Sequence, residues 1–169
     1  MKRPRTPVMS VATPARQRMV DAALDLFHVQ GVNGTSVDQV PERSGTGKGQ
    51  FAHYFGSKTG LVHAVLQHLH QIIRDGQAPT GYRVETWADL DGWFDRYLDF
   101  QAGVGWERSC PIGTIGADIA DDQELLRQDV RLFFEWARGS LARFFAERRA
   151  AGSCRPMPTP TVWPTSVSP

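Results

Sequence analysis

Apolar residues along this chain recur every three or four positions and nowhere alternate, a pattern that predicts an all-α protein. Met19, Val20, Ala23, Leu24, Phe27 and His28 form one face of a first helix, opened by Pro14 in its first turn and closed by Gly31. Thr35-Ser36 offers an N-cap hydroxyl to a second helix over about 37–43. Ser44-Gly45-Thr46-Gly47 has room only for a tight turn, and a third short helix runs over 48–55. Gly56-Ser57 breaks and caps before a long helix that starts near Lys58. Its inner face is Leu61, Val65, Leu66, Leu69, Ile72 and Ile73, and Gly76 or Pro79 stops it.

Further along, Thr86 stands three residues before Asp89 in the manner of a capping box. The helix it opens is expected to turn Leu90, Trp93, Phe94, Tyr97 and Leu98 toward the core. Gly103, Gly105 and Pro111 interrupt, and a short helix is expected within 112–120. Asp121 or Asp122 should cap a last long helix reaching about Ala151, with Leu126, Val130, Phe133, Phe134, Ala137, Leu141, Phe144 and Phe145 inward. Four stretches result: a flexible basic arm (1–13), a three-helix unit (14–60), a helical regulatory unit (61–151) and a disordered Pro-rich tail (152–169).

Composition adds little until charge is divided along the chain. Residues 1–60 hold eight Lys/Arg against four Asp/Glu, while residues 61–169 hold eleven against fourteen, so a net +1 conceals a basic first third. Such a face suits a polyanion, because phosphate contacts supply most non-specific nucleic-acid affinity. No apolar run approaches the roughly 20 residues of a membrane helix, and the basic start at Lys2, Arg3 and Arg5 is followed by no apolar stretch of a signal peptide. With two cysteines, Cys110 and Cys154, the expectation is a reduced cytoplasmic protein.

Two short helices around a glycine turn make a helix-turn-helix, whose second helix enters the major groove N-terminal end first. Its leading side chains should be long and polar. Lys48 can reach guanine O6/N7 and Gln50 can grip adenine N6/N7. His53, Tyr54 and Lys58 can reach flanking phosphates, as can the hydroxyls of Thr35 and Ser36. Thr46 and Gly49, beside Lys48, complete the set assigned to double-stranded DNA. Phe51 and Phe55 should face inward and fix the helix pose.

The run from Thr35-Ser36-Val37-Asp38-Gln39-Val40 through Ser44-Gly45-Thr46-Gly47-Lys48-Gly49-Gln50-Phe51-Ala52-His53-Tyr54-Phe55-Gly56-Ser57-Lys58 resembles the tetracycline-repressor (TetR) family. Ala22-Ala23-Leu24-Asp25-Leu26-Phe27 to Gly31 is similar as well. The likeness is close over about 14–66. Beyond it only the helix arrangement is similar, with Cys110-Pro111-Ile112-Gly113 resembling one subgroup. The resemblance implies an all-α homodimer that represses genes, often its own neighbours, until a small ligand docks in the C-terminal unit. An apolar or aromatic ligand is implied there, against Trp93, Phe94, Tyr97, Trp106, Cys110, Phe133 and Phe134.

Three positions depart from that pattern. Pro41 stands where the family usually has Ala; a proline in a helix interior costs about 3 kcal/mol, but in the second turn it leaves the helix able to start late or kink and survive. Ala52 replaces a usual Tyr, and Gly47 a usual capping Ser. From Gly152 the composition shifts, with five prolines in the last fourteen residues. Reading Met157 onward one base earlier, with G/C-rich codons, gives a string with a helix start and apolar spacing. The tail therefore reads as a frameshift that replaces the family's last two helices, which would otherwise form the dimer bundle.

Other chemistry fails on spacing. Gly45-Thr46-Gly47-Lys48-Gly49 lacks the earlier glycine, the following Ser/Thr and the preceding strand of a phosphate loop. His63, His68 and His70 miss the i, i+4 pairing of a zinc helix, and Cys110 has only Arg108 near it to lower its pKa. No nucleophile–base pair and no cofactor loop survives, so an enzyme is the least favoured class and no cofactor is expected. A ligand-responsive repressor on a pseudo-palindromic operator leads. The alternative is a truncated regulator-fold protein that binds a small ligand or partner without stable dimerisation or operator binding.

Overall fold

The computed structural model describes residues 13–76, 84–103, 105 and 110–153. The basic arm, Trp106 and nearly all of the Pro-rich tail lie outside them. The described residues form α1 (Ala15–Gln30), α2 (Gln39–Ser44), α3 (Lys48–Phe55), α4 (Lys58–Arg74), α5 (Trp87–Gly103), α6 (Pro111–Ala117) and α7 (Glu124–Ala150). The fold is all-α.

α1 begins just after Pro14 and ends at Gly31, whose φ of 75° lets its N–H return to the Phe27 carbonyl. It buries Met19, Val20, Ala22, Ala23 and Phe27. α4 is the central post. Ser57 caps it, the hydroxyl accepting the Gly60 N–H at 3.1 Å. It then buries Leu61, Val62, Ala64, Val65, Leu66, Leu69 and Ile73, a wider face than one stripe because α1, α3 and α7 all pack on it. One core runs from Met19 through Val40 and Phe51 to Ile112, Ile115, Leu126 and Phe133. The three-helix unit and the helices after it are thus joined by continuous apolar contact.

Polar contacts bolt the seams. Asp129, buried on α7, accepts from Gln67 Nε2 at 2.7 Å and meets His63 Nδ1 at 2.5 Å, both on α4. Past the end of α6, Asp118 Oδ2 accepts the Asn33 N–H at 3.0 Å and ties that turn to the α1–α2 connection. His68 faces Gln17 and Asp21 of α1, and His70 lies against Phe133 and Trp136. Burial holds the His70 imidazole below its ordinary pKa, Arg74 adds to the depression and Asp129 opposes it.

Several sequence expectations need correction. α2 starts at Gln39, with Asp38 at the N-cap position and no side-chain cap bond. The Ser36 N–H, two residues ahead of that N-cap, is instead accepted by Gln39 Oε1 at 2.6 Å. α7 opens after Gln123, and Asp121 pairs with Arg127 rather than capping. Phe134 and Phe145, expected inward, are 48% and 46% exposed. Each stands one residue, about 100° of rotation, past a buried Phe133 or Phe144, and so leaves the stripe that faces the core.

α5 departs furthest. Its capping box forms, Thr86 Oγ1 accepting the Asp89 N–H and Asp89 accepting the Thr86 N–H. These bonds hold the Asp89 carboxyl below the usual range, the Thr86 side chain contributing most. Yet α5 buries none of its residues, and Phe94 and Leu98, expected inward, are 53% and 51% exposed. Trp87 anchors its start, edge-on to Phe144 at 5.1 Å with Nε1 donating to the Ser153 carbonyl.

Candidate nucleic-acid interface

The helix-turn-helix is built on Gly45. That residue adopts φ 63° and ψ 39°, and its N–H turns back to the Glu42 carbonyl while the Thr46 N–H reaches Pro41 O at 2.9 Å. A left-handed residue is what reverses the chain here, and glycine takes that conformation without steric cost. Arg18 ties the end of α2 to the start of α1, donating from Nε to Ser44 O at 3.2 Å and from Nη1 to Thr13 O at 2.6 Å.

Pro41 does no damage. Because α2 starts at Gln39, Pro41 lies in the first turn, where an N–H has no intrahelical acceptor in any case. The first main-chain bond of the helix, Glu42 N to Asp38 O at 3.5 Å, falls one residue later. Pro41 is buried and helps fill the core.

α3 then presents two unlike sides. Phe51 is buried and Phe55 half-buried, their rings 5.5 Å apart, with the Arg16 guanidinium 5.7 Å from the Phe55 centroid. Lys48, Gly49, Gln50, Ala52, His53 and Tyr54 are exposed. The structure therefore brings Lys48, Gly49, Gln50, His53 and Tyr54 onto one helix, with Ser36 exposed ahead of α2, Thr46 half-buried in the turn and Lys58 half-buried at the start of α4. A Cβ built at Gly49 would meet nothing within 4 Å.

Thr35 is the exception among the residues assigned to DNA. Its side is 2% exposed, and its hydroxyl donates to Gly31 O at 2.7 Å and accepts from Gln30 Nε2 at 3.2 Å. Both capacities serve the α1–α2 connection, so no hydroxyl is left for a phosphate. Nor are the two leading side chains of α3 loose. Lys48 Nζ lies 2.9 Å from Asp38 Oδ1, and Gln50 Oε1 accepts the Gly47 N–H at 3.1 Å. Sequence reasoning missed Asp38, since no spacing rule links a residue ahead of one short helix to the first residue of the next.

The described residues assigned to a ligand pocket are spread over α5, α7 and the segment ahead of α6. Trp93 stacks on Tyr97 at 5.8 Å and meets Phe94 edge-on along α5 itself. Phe133 is buried and Phe134 exposed on α7, and Cys110 is an exposed thiol ahead of α6. None of these lines the described cavity of about 370 Å³ between α6 and α7, bounded by Gly116, Ile119, Arg127 and Val130. None lines the one of about 630 Å³ between Val84, Thr86, Ser140, Arg143 and Phe144 either. Among the described residues, no group of three or more His, Cys, Asp or Glu is placed to hold a metal, and no helix is long and apolar enough to cross a membrane.

A glycine-turned pair of short helices, the second bearing an exposed polar ridge on a buried aromatic, defines a helix-turn-helix transcriptional regulator. Residues 19–65 match the model of the bacterial regulatory proteins of the tetR family. That match spans the helix-turn-helix region, where the chain is similar to that family. It is 25% identical over 141 residues to an HTH-type transcriptional regulator of Mycobacterium tuberculosis, spanning 78% of this chain and 70% of that one. To the HTH-type transcriptional regulator BetI of Paraburkholderia phymatum it is 34% identical over 77 residues, 46% of this chain and 38% of the other. In fold it is similar to the crystal structure of regulatory protein TetR from Rhodobacter sphaeroides, with a TM-score of 0.66, 23% identity, and coverage of 83% of this chain and 75% of that one.

Proposed function

We propose that this regulator is a cytoplasmic, ligand-responsive repressor that binds a pseudo-palindromic operator as a homodimer and reads the major groove with α3. One observation carries the reading: Lys48, Gly49, Gln50, His53 and Tyr54 are exposed together on a helix whose pose is locked by buried Phe51. Lys48 and Gln50 read base edges. Ser36, Thr46, His53, Tyr54 and Lys58 hold phosphates and set register. Gly49, with no side chain and open space around it, lets the helix approach the duplex closely. The boundaries proposed for the two units are 14–60 for DNA and 61–151 for regulation. The aromatic surface of α5 is proposed to take a small apolar or aromatic ligand.

Fluorescence anisotropy against duplexes flanking the gene, at two salt concentrations, tests this. Specific binding that weakens with salt and is lost on replacing Lys48 and Gln50 by Ala supports it; binding no tighter than to random duplex refutes it. Ala52 favours a second reading, because an exposed methyl in mid-α3 offers DNA little. In that reading the chain keeps the regulator fold and binds a ligand or partner without stable dimerisation or operator binding. Sedimentation separates the two, a monomer at working concentration favouring the second.

A further inference from the structure

The ion pair between Asp38 and Lys48 sets two residues from different helices against each other at the place where DNA is to be held. Lys48 Nζ lies 2.9 Å from Asp38 Oδ1, and the two side chains are 74% and 70% exposed. The pair is largely exposed to solvent and, among the described residues, no other ion pair joins it, so it contributes little to the fold. Asp38 makes no side-chain cap bond to α2, leaving its carboxylate without that structural use. Gln50, the other leading side chain of α3, is likewise engaged, its Oε1 accepting the Gly47 N–H.

We propose that Asp38 is an intramolecular competitor for Lys48, a stand-in phosphate that tunes affinity and specificity on the DNA face. This inference rests on the reading of α3 as the DNA helix. Lys48 must leave Asp38 to contact a duplex, and the freed carboxylate then lies beside a polyanion, well within the roughly 10 Å over which charges interact at moderate salt. Non-specific binding rests almost wholly on phosphate attraction and bears this penalty in full. At a matched site Lys48 gains a base-edge contact in return, and Gln50 gains one for releasing Gly47. Asp38 thereby suppresses random binding more than operator binding.

The test uses the full chain, a mixed-sequence duplex and anisotropy titrations across a range of salt. The variants are Asp38→Asn, Lys48→Ala and the pair combined, each checked by thermal melting against wild type. Asp38→Asn is expected to bind about fivefold tighter at low salt, with a log–log salt slope steeper by about one counterion. In the Lys48→Ala background that gain should fall to about twofold or less, because the competitor then has nothing to compete for. An unchanged affinity for Asp38→Asn overturns the inference. So does an undiminished gain in the Lys48→Ala background, which would make Asp38 a mere repulsive charge. If wild type binds duplex and Asp38→Asn matches it, only this inference falls. If neither protein binds, the DNA reading falls with it.

Discussion

Replacing Pro41 by Ala separates what a sequence rule expects from what the fold requires. Taken as an interior helix residue, Pro41 would cost about 3 kcal/mol, and alanine would be expected to recover most of that. In the structure the proline forfeits no hydrogen bond, because α2 starts at Gln39 and the first intrahelical donor is Glu42. The ring would clash only with a carbonyl four residues back, and Val37 lies outside the helix. What alanine removes is real: Pro41 is buried, and two lost ring carbons at about 0.8 kcal/mol each amount to roughly 1.6 kcal/mol. Freeing the unfolded chain adds about 0.4–1 kcal/mol in the same direction. Pro41→Ala should therefore destabilise the protein by about 2 kcal/mol. Urea denaturation followed by far-ultraviolet circular dichroism reads this as a lower midpoint at unchanged slope. A midpoint raised by the equivalent of about 1 kcal/mol or more would refute the argument and mark Pro41 as a strained interior residue.

Thr35→Val should cost about 1–2 kcal/mol in stability by stranding the Gly31 carbonyl, yet leave the salt slope of DNA binding unchanged; a shallower slope would place Thr35 on phosphate after all. Asp129→Ala should cost about 2 kcal/mol in chemical denaturation, since it leaves His63 and Gln67 without their shared partner, and an unaltered midpoint would rule out the α4–α7 bolt. Burial lowers the His70 pKa below its unfolded value of about 6.5, so the associated stability is fully present above that value and is lost as pH falls below it. His70→Phe should flatten the fall in stability on the acid side of that value, and an identical pH profile would exclude His70 as its source.

Much of this protein was legible in one dimension. The three- and four-residue apolar spacing marked α1, α4, α5 and α7, because helical periodicity is a property of a segment and needs no neighbour to be seen. The cap of α4 at Ser57, the capping box at Thr86-Asp89 and the inward turn of Phe51 are local for the same reason. So was the exposed ridge from Lys48 to Tyr54, since a buried Phe51 leaves its helical neighbours facing away. Tertiary structure decided the rest. Spacing names the apolar face of a helix but not whether another helix covers it, which is how α5 came to bury nothing while its pattern matched a core helix. It also cannot say which residue of one helix meets which of another. The burial of Thr35 under Gln30, the pairing of Asp118 with Asn33 and the hold of Asp38 on Lys48 all depend on how separate elements meet in space. That geometry comes from packing the whole core at once, and no window along the chain contains it.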